Sequence, residues 1–443
     1  MGAVFDAIFS AIAGPVLLVV GLGVLGFVFY MIGVDPEPIV SVVVALTPIW
    51  LPIALFFVTF ERWMEFVNLK FAMNQGRSTL RIKLPQEVLK SPEAMEQVLA
   101  QIHNVQSPDN LWQTYIDGKH PLTFTLELVS IGGEVRFYMN VPTRKVKDAT
   151  EAQLYAQYPG VEVVEEPLDY TASVPWDPER FEYMAFHMGK KENEVFPIKT
   201  YIDCGLDKLP KEEEKLDPIS PMIEQLSKLQ PHEQLWVQIL IVPHVKRNFK
   251  RGSLSEKPSW EGKIAQKIDE IMCRDPKTKS GPGDINEQPR LTMTERDTVT
   301  AMERSMAKYA YETGIRWIYI TEKGKFNGDL IAPTIRTFAS YDMIKRNQIG
   351  VLWRTDFDYN WFSDFSGARK MSWKKQELAD YKKRKYEQRD IKNNSDATFV
   401  LSVEELATMF HLPGQVVVTP TLPRILSTRR EAPSNLPVGQ PPQ

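Results

Sequence analysis

The stretch LTFTLELVSIGGEVRFYMNV, residues 122–141, predicts two strands joined by a glycine turn. Leu122 to Val129 has the apolar composition of one strand, and the apolar residues from Val135 to Val141 alternate as a second strand. The Gly132-Gly133 pair between them suits the positive φ angles of a tight hairpin turn. This stretch therefore predicts a β-hairpin with one well-defined face.

The residues around this hairpin extend it into an α/β unit. Leu80 to Leu84 alternates as a strand, and the helix that follows Ser91 carries apolar residues at the i, i+3, i+4, i+7 spacing of one face. After the hairpin, Val146 to Tyr158 predicts a helix and Val161 to Glu165 a strand. The order β-α-β-β-α-β is that of the ferredoxin-like, or split βαβ, arrangement, which we expect over residues 67–170.

A second unit of the same kind is expected over residues 171–345. Leu235 to Val242 is apolar except for Gln238, as in a strand covered on both faces. A long amphipathic helix is predicted to run through Thr313 and end at Gly314, and a strand follows from Ile315. Residues 246–290 are polar and rich in Lys, Gly and Pro, and they predict an insertion between these elements.

The first sixty residues contain no Lys or Arg and hold two apolar runs, 11–32 and 39–60. Each run has the length of about 20 residues that a membrane-spanning helix needs. Residues 1–66 therefore predict a transmembrane helical hairpin, with two buried core helices as the alternative. Basic residues cluster from Arg62 to Lys83, which places the bulk of a multi-pass protein on the cytoplasmic side of a bacterial inner membrane.

Composition and motifs argue against several kinds of chemistry. The net charge is −3, and the two cysteines, Cys204 and Cys273, form no metal-binding spacing. The sequence has no Gly-x-x-x-x-Gly-Lys phosphate loop and no nucleophile elbow, and we expect no catalytic residue, no metal and no cofactor. The carboxylates of Asp356, Asp358 and Asp364 are oxygen ligands that suit a divalent cation, but the interleaved aromatic residues favour a loop laid over the domain.

The strongest charge pattern lies in residues 346–411, where an aromatic connection leads into a basic helix. Arg369 to Lys392 carries ten basic and four acidic residues. A solvated helix face, contact with anionic lipid and contact with DNA phosphate remain open as explanations. The candidate contact residues are Arg369, Lys370, Lys374, Lys375, Lys382, Lys383, Arg384 and Lys385.

Residues 412–443 form a tail with seven prolines, a composition typical of an extended tether. The complete prediction is an α+β protein with an N-terminal two-helix transmembrane hairpin, two ferredoxin-like units and this flexible Pro-rich tail.

Several segments together carry a family resemblance: IGGEVRFY from Ile131, AQLYAQYP from Ala152, APTIR from Ala332, TDFDY from Thr355, and FVLSVEELATMFHLPG from Phe399. Over about residues 60–437 the chain resembles the membrane-anchored amino-terminal module of conjugation and type IV secretion-like ATPases of small-genome bacteria. These ATPases are related to the coupling protein and to HerA/FtsK motors. In such proteins the sequence corresponding to Ala432–Pro437 leads into the motor, whereas this chain ends at Gln443.

The resemblance implies a non-enzymatic platform subunit that docks a separately encoded hexameric P-loop ATPase in a secretion or conjugation apparatus. The tail residues Pro433, Asn435, Leu436 and Pro437 are the expected docking segment. Expected partners also include the lipid bilayer, further copies of the chain and nucleic acid. The alternative function is a membrane-surface scaffold or lipid-binding adaptor without a motor, and an enzyme of unrecognised chemistry is a third interpretation.

Overall fold

The structure is a computed structural model that describes residues 37–85, 90–103, 108, 110–207, 217–244, 259–272, 291–356, 367–385, 398–414 and 424–425. The chain divides into two compact units. We call residues 1–73, 108–119 and 249–256 the helical unit, and residues 74–107, 120–248 and 257–443 the sheet unit.

The described helices and strands follow one another in an irregular α+β order. The α-helices are α1 (Glu37–Gln75), α2 (Glu93–Ile102), α3 (Leu111–Tyr115), α4 (Thr143–Gln157), α5 (Ser220–Ser227), α6 (Trp260–Ile271), α7 (Met293–Met306), α8 (Ile331–Thr337), α9 (Ala368–Lys383) and α10 (Val403–Met409). The strands are β1 (Arg77–Pro85), β2 (Phe124–Ile131), β3 (Glu134–Pro142), β4 (Glu162–Glu165), β5 (Phe181–Lys190), β6 (Glu233–Pro243), β7 (Ala310–Glu322), β8 (Ile349–Arg354), β9 (Phe399–Ser402) and β10 (Arg424–Ile425).

In the described residues these strands form one large sheet in the order β10-β1-β3-β2-β6-β7-β5-β8. Strand β4 also pairs with β1, and β9 also pairs with β7. All of these pairs are antiparallel except the short parallel pair of β1 with β10. The sheet unit is thus built around a single antiparallel sheet.

The hairpin predicted from residues 122–141 is present as β2 and β3. Ile131 pairs with Glu134 at the turn, and Gly132 and Gly133 adopt φ angles of 59° and 90°. A Cβ atom on Gly132 would stand 3.1 Å from the Cα atom of Pro231, so a side chain at this turn would also crowd the neighbouring backbone.

The prediction of two separate ferredoxin-like units is wrong. Strands β4, β1, β3 and β2 are neighbours in that order, but β2 continues the sheet by pairing with β6 from Phe124↔Ile241 to Ile131↔Gln234. Nearly every residue of β2 and β6 is buried, because each strand is covered on both faces and paired on both edges. The second half of the chain therefore extends the sheet of the first half instead of forming one of its own.

Three elements of the second half were not predicted as they stand in the structure. Strand β5, between β7 and β8, was not predicted. Helix α6 lies inside the predicted polar insertion 246–290 and buries Trp260, Ile264 and Ile268. The helix expected to reach Thr313 ends at Met306, because residues from Ala310 onward pair with β6 and β9, and sheet pairing overrides the helical spacing.

The structure of the helical unit differs from the predicted transmembrane hairpin. The second predicted span falls within α1, which continues to Gln75 instead of ending near Phe60. Trp63 donates a 2.6 Å hydrogen bond to the Tyr115 carbonyl oxygen, so this part of α1 packs on residues of its own chain. Among the described helices none is long and apolar enough to cross a membrane, and the predictions of a two-span hairpin and of a multi-pass inner-membrane protein are therefore wrong. The first predicted span, 11–32, lies outside the described residues.

Candidate functional site

A row of polar side chains crosses the middle of the sheet beneath α9. Glu127 on β2 is paired with Gln238 on β6, Gln238 with Arg316 on β7, and Arg316 with His187 on β5. Each residue is at most 2% exposed, although the strands around it are apolar. Burial of four such groups at one register is costly unless they are paired, which makes this row the most distinctive feature of the sheet unit.

The Glu127 carboxylate at one end of the row is saturated with hydrogen bonds. Its Oε1 atom accepts from Thr125 at 2.8 Å and from Gln238 at 2.7 Å, and its Oε2 atom accepts from the Tyr170 hydroxyl at 2.8 Å. Arg384 donates to both oxygens, at 2.9 and 3.2 Å. Burial raises the pKa of Glu127, but the charge and hydrogen bonds of Arg384 and its other donors outweigh burial and hold the pKa below its ordinary value.

Arg384 follows the last residue of α9 and fixes this helix end to the sheet. Its guanidinium is 4% exposed and also contacts the Asp169 carboxylate. It has a φ of 50° and is the one non-glycine residue with positive φ in the part of the chain that the structure describes. Glycine is the usual residue at such a helix end, so the side-chain contacts of Arg384 offset a strained backbone.

The inward face of α9 bonds to the rest of the row. Glu377 lies 2.8 Å from the His187 imidazole, and both side chains are buried. Arg316 donates to the Gln238 side chain and to the Asp380 carbonyl oxygen, each at 2.8 Å. Burial lowers the pKa of Arg316. Helix α9 is thus seated by ionic and hydrogen-bonded contacts along its length.

The eight predicted basic contact residues have different roles in the structure. Arg384 is buried in the ion network, Lys374 lies 2.9 Å from the Asp356 carboxylate, and Lys382 donates to the Val174 carbonyl oxygen. Lys370 is half-buried, and the exposed members are Arg369, Lys375, Lys383 and Lys385.

The acidic and basic side chains of helix α9 therefore lie on different faces. Its two acidic residues, Glu377 and Asp380, are both buried, while its exposed charged side chains are all basic. We call the exposed set Arg369, Lys375, Lys383 and Lys385 the basic face. A positively charged surface on a helix of fixed orientation is suited to a polyanionic or acidic partner.

The FVLSVEELATMFHLPG segment is a second buried ionic region. It forms β9 and α10, and every residue of α10 is buried. Lys190 lies 3.0 Å from Glu405 within the core, and Glu404 contacts Arg304 at 2.9 Å and Lys308 at 3.0 Å. This segment is fixed to the sheet and presents no exposed reactive group among its α10 residues.

The remaining predicted site residues are only partly described. Asp356 is engaged with Lys374, whereas Asp358, Asp364 and the tail residues Pro433, Asn435, Leu436 and Pro437 lie outside the described residues. In the described part of the chain no group of three or more His, Cys, Asp or Glu side chains is arranged to hold a metal ion.

The polar row was missed by the sequence predictions because its common register depends on which strands pair. Gln238 was recognised as the one polar residue in an apolar strand. Glu127, His187 and Arg316 also lie within largely apolar strands, but only the strand pairing in the structure brings the four side chains to one register.

Comparison with known proteins identifies the family. Residues 65–424 match the family described as "Domain of unknown function (DUF8128)", and the chain belongs to that family. No curated protein matches the chain.

Proposed function

We propose that the chain is a non-enzymatic platform subunit of a type IV secretion or conjugation-like apparatus, where it docks a separately encoded hexameric P-loop ATPase of the coupling-protein or HerA type. The observation that supports a platform is the charge sorting of α9. The buried ion network fixes this helix on a ten-stranded sheet, with the basic face turned to solvent.

The state of the buried ionisable groups supports binding in preference to catalysis. Glu127 already accepts five hydrogen bonds, from Thr125, Gln238, Tyr170 and twice from Arg384. A carboxylate with about four lone-pair sites has no capacity left for a substrate proton. Burial and the nearby Glu127 charge raise the pKa of Tyr170, so its hydroxyl stays protonated and serves as a donor.

The partner class follows from the resemblance and from charge. Modules of the kind this chain resembles lie next to a P-loop motor, and a basic surface near a motor suits DNA phosphates or an acidic face of the motor. We expect the tail residues Pro433, Asn435, Leu436 and Pro437 to bind the motor. We expect the basic face to contact DNA phosphates or an acidic face of the motor.

Affinity purification from the native cells tests whether the chain binds a motor ATPase. The full chain is compared with a variant that lacks residues 432–443, and the captured proteins are identified by mass spectrometry. The proposal expects a protein with a Gly-x-x-x-x-Gly-Lys loop in the first sample and its loss from the second. Recovery of no such ATPase with the full chain would contradict the proposal.

Charge reversal tests the basic face. Changing Lys375, Lys383 and Lys385 to Glu should abolish salt-sensitive binding to DNA or to the captured motor. Reversal of the exposed Lys323 and Lys325, on the loop that follows β7, is the control and should leave binding unchanged. The adaptor alternative is favoured if only vesicles with anionic lipid bind and no motor is recovered.

A further inference from the structure

Among the residues that the structure describes, the helical unit exposes a set of large apolar side chains. Seven large apolar side chains of α1 between Leu51 and Met73, and three more between Leu111 and Ile116, are 38–73% exposed. The adjoining face of the same helix is covered, with Met64 and Val67 almost fully buried. Contiguous apolar patches of this size mark interaction sites on proteins.

The spacing of the exposed residues on α1 indicates another helix as the partner. Phe56, Trp63, Phe66 and Met73 are separated by seven, three and seven positions, which is the a/d spacing of a coiled-coil seam. Lys70 occupies the remaining a position between them, and Thr59 occupies the remaining d position. A single polar residue at an a position is a common device for fixing the register and the number of chains in a helical assembly.

The area is sufficient for a stable pair. Large side chains offer roughly 200 Å² each when fully exposed, so ten of them at about half exposure provide on the order of 1,000 Å². A standard interface needs about 800 Å² from each partner. Arg62 flanks the seam and forms a 2.9 Å ion pair with Glu65 of the same helix, so α1 carries both signs of charge, which suits the self-complementary contacts of a two-fold interface.

We propose that this apolar face of α1 and residues 111–116 is the interface between two copies of this chain. The inference is independent of the motor partner and of the basic face, since its residues belong to the helical unit. It assigns the exposed apolar side chains of α1 to self-association and the basic face of α9 to partners of other kinds.

The test measures the mass of the full chain by light scattering over a hundredfold range of concentration, with any detergent contribution subtracted. The parent is expected to be a dimer, and Phe66→Glu combined with Met73→Glu is expected to weaken dimerisation on the order of thirty-fold or more. Both side chains are more than half exposed, so the variant should keep the circular dichroism and melting temperature of the parent. Ile344→Glu, an 83% exposed apolar position in the sheet unit, is the control and should remain dimeric.

Two outcomes would overturn the proposal. A monomeric parent at every concentration excludes the interface, as does a dimer that Phe66→Glu and Met73→Glu leave intact. Flotation of a monomeric parent with neutral lipid vesicles, lost in the same double variant, would assign the face to a lipid surface instead.

Discussion

Replacement of Arg384 by Met tests whether the ion network holds α9 on the sheet. The change removes one partner of a pair that is 4% and 0% exposed, and it leaves the Glu127 carboxylate charged within the core. Loss of one member of a buried ion pair costs about 3–5 kcal/mol. Met retains much of the side-chain volume, so the loss reports on charge and hydrogen bonds more than on packing.

The measurement is urea unfolding at pH 7, followed by the fluorescence of the buried Trp236 and Trp317. Lys383→Met, at the exposed neighbouring position, is the control and should change the free energy of unfolding by at most about 0.5 kcal/mol. A second change, Glu127→Gln, should recover part of the loss because it removes the unpaired charge. A loss under about 1 kcal/mol for Arg384→Met alone would refute the structural role of the pair.

The same variant should alter the dependence of stability on pH. In the parent the folded pKa of Glu127 is lowered, so its contribution is present above the ordinary value of 4.5 and is lost as the pH falls. Without Arg384 the carboxylate gains a proton more readily. The difference in stability between parent and variant should therefore shrink as the pH is lowered below neutrality, and a constant difference would contradict this reasoning.

Three further substitutions probe other parts of the fold. Burial lowers the pKa of His411, but the Asp217 carboxylate outweighs burial and raises the pKa above 6.5. The stability of the protein should therefore fall as the pH rises through that pKa. His411→Gln should remove this pH dependence in urea titrations. Gly118→Ala should lower the free energy of unfolding by well over about 1 kcal/mol, because the new Cβ atom would stand 2.3 Å from a carbonyl oxygen of α1. Gly205 has a similar positive φ but open space around it, so Gly205→Ala should lower the free energy of unfolding less, as measured by calorimetry. Lys190→Met should cost about 3–5 kcal/mol of unfolding free energy in urea titrations, because it leaves the buried Glu405 carboxylate without its cation, and a loss under about 1 kcal/mol would contradict this role of the pair.

The sequence permitted accurate prediction where structure depends on neighbours in the chain. The turn at Gly132 and Gly133 was predictable because two adjacent glycines satisfy a local backbone requirement. The pairing of β2 with β6 joins residues more than a hundred positions apart, and no local pattern specifies which strand covers the edge of another. The predicted ferredoxin-like units were wrong for this reason, since each was assumed to close on its own strands.

The candidate site was predicted in part for a similar reason. The basic composition of α9 is local and identified the helix, but composition does not reveal which of its charges face inward. Arg384 was grouped with the exposed lysines, although its partners Glu127 and Asp169 lie far away in sequence. An apolar run with one polar interruption gives no indication of whether that residue is exposed or belongs to a buried row.

The row of buried polar side chains also explains why the basic face has a fixed orientation relative to the sheet. Apolar contacts alone, such as those of Leu378, Tyr381 and Trp373, would allow the helix to rotate or slide on the sheet. Hydrogen bonds to the His187 imidazole, to the Arg316 guanidinium and to Glu127 have fixed positions and directions, so the helix satisfies all of them in one placement only. The orientation of the exposed lysines is therefore determined by polar residues of the sheet, and substitutions in the row should change partner binding without touching the binding surface.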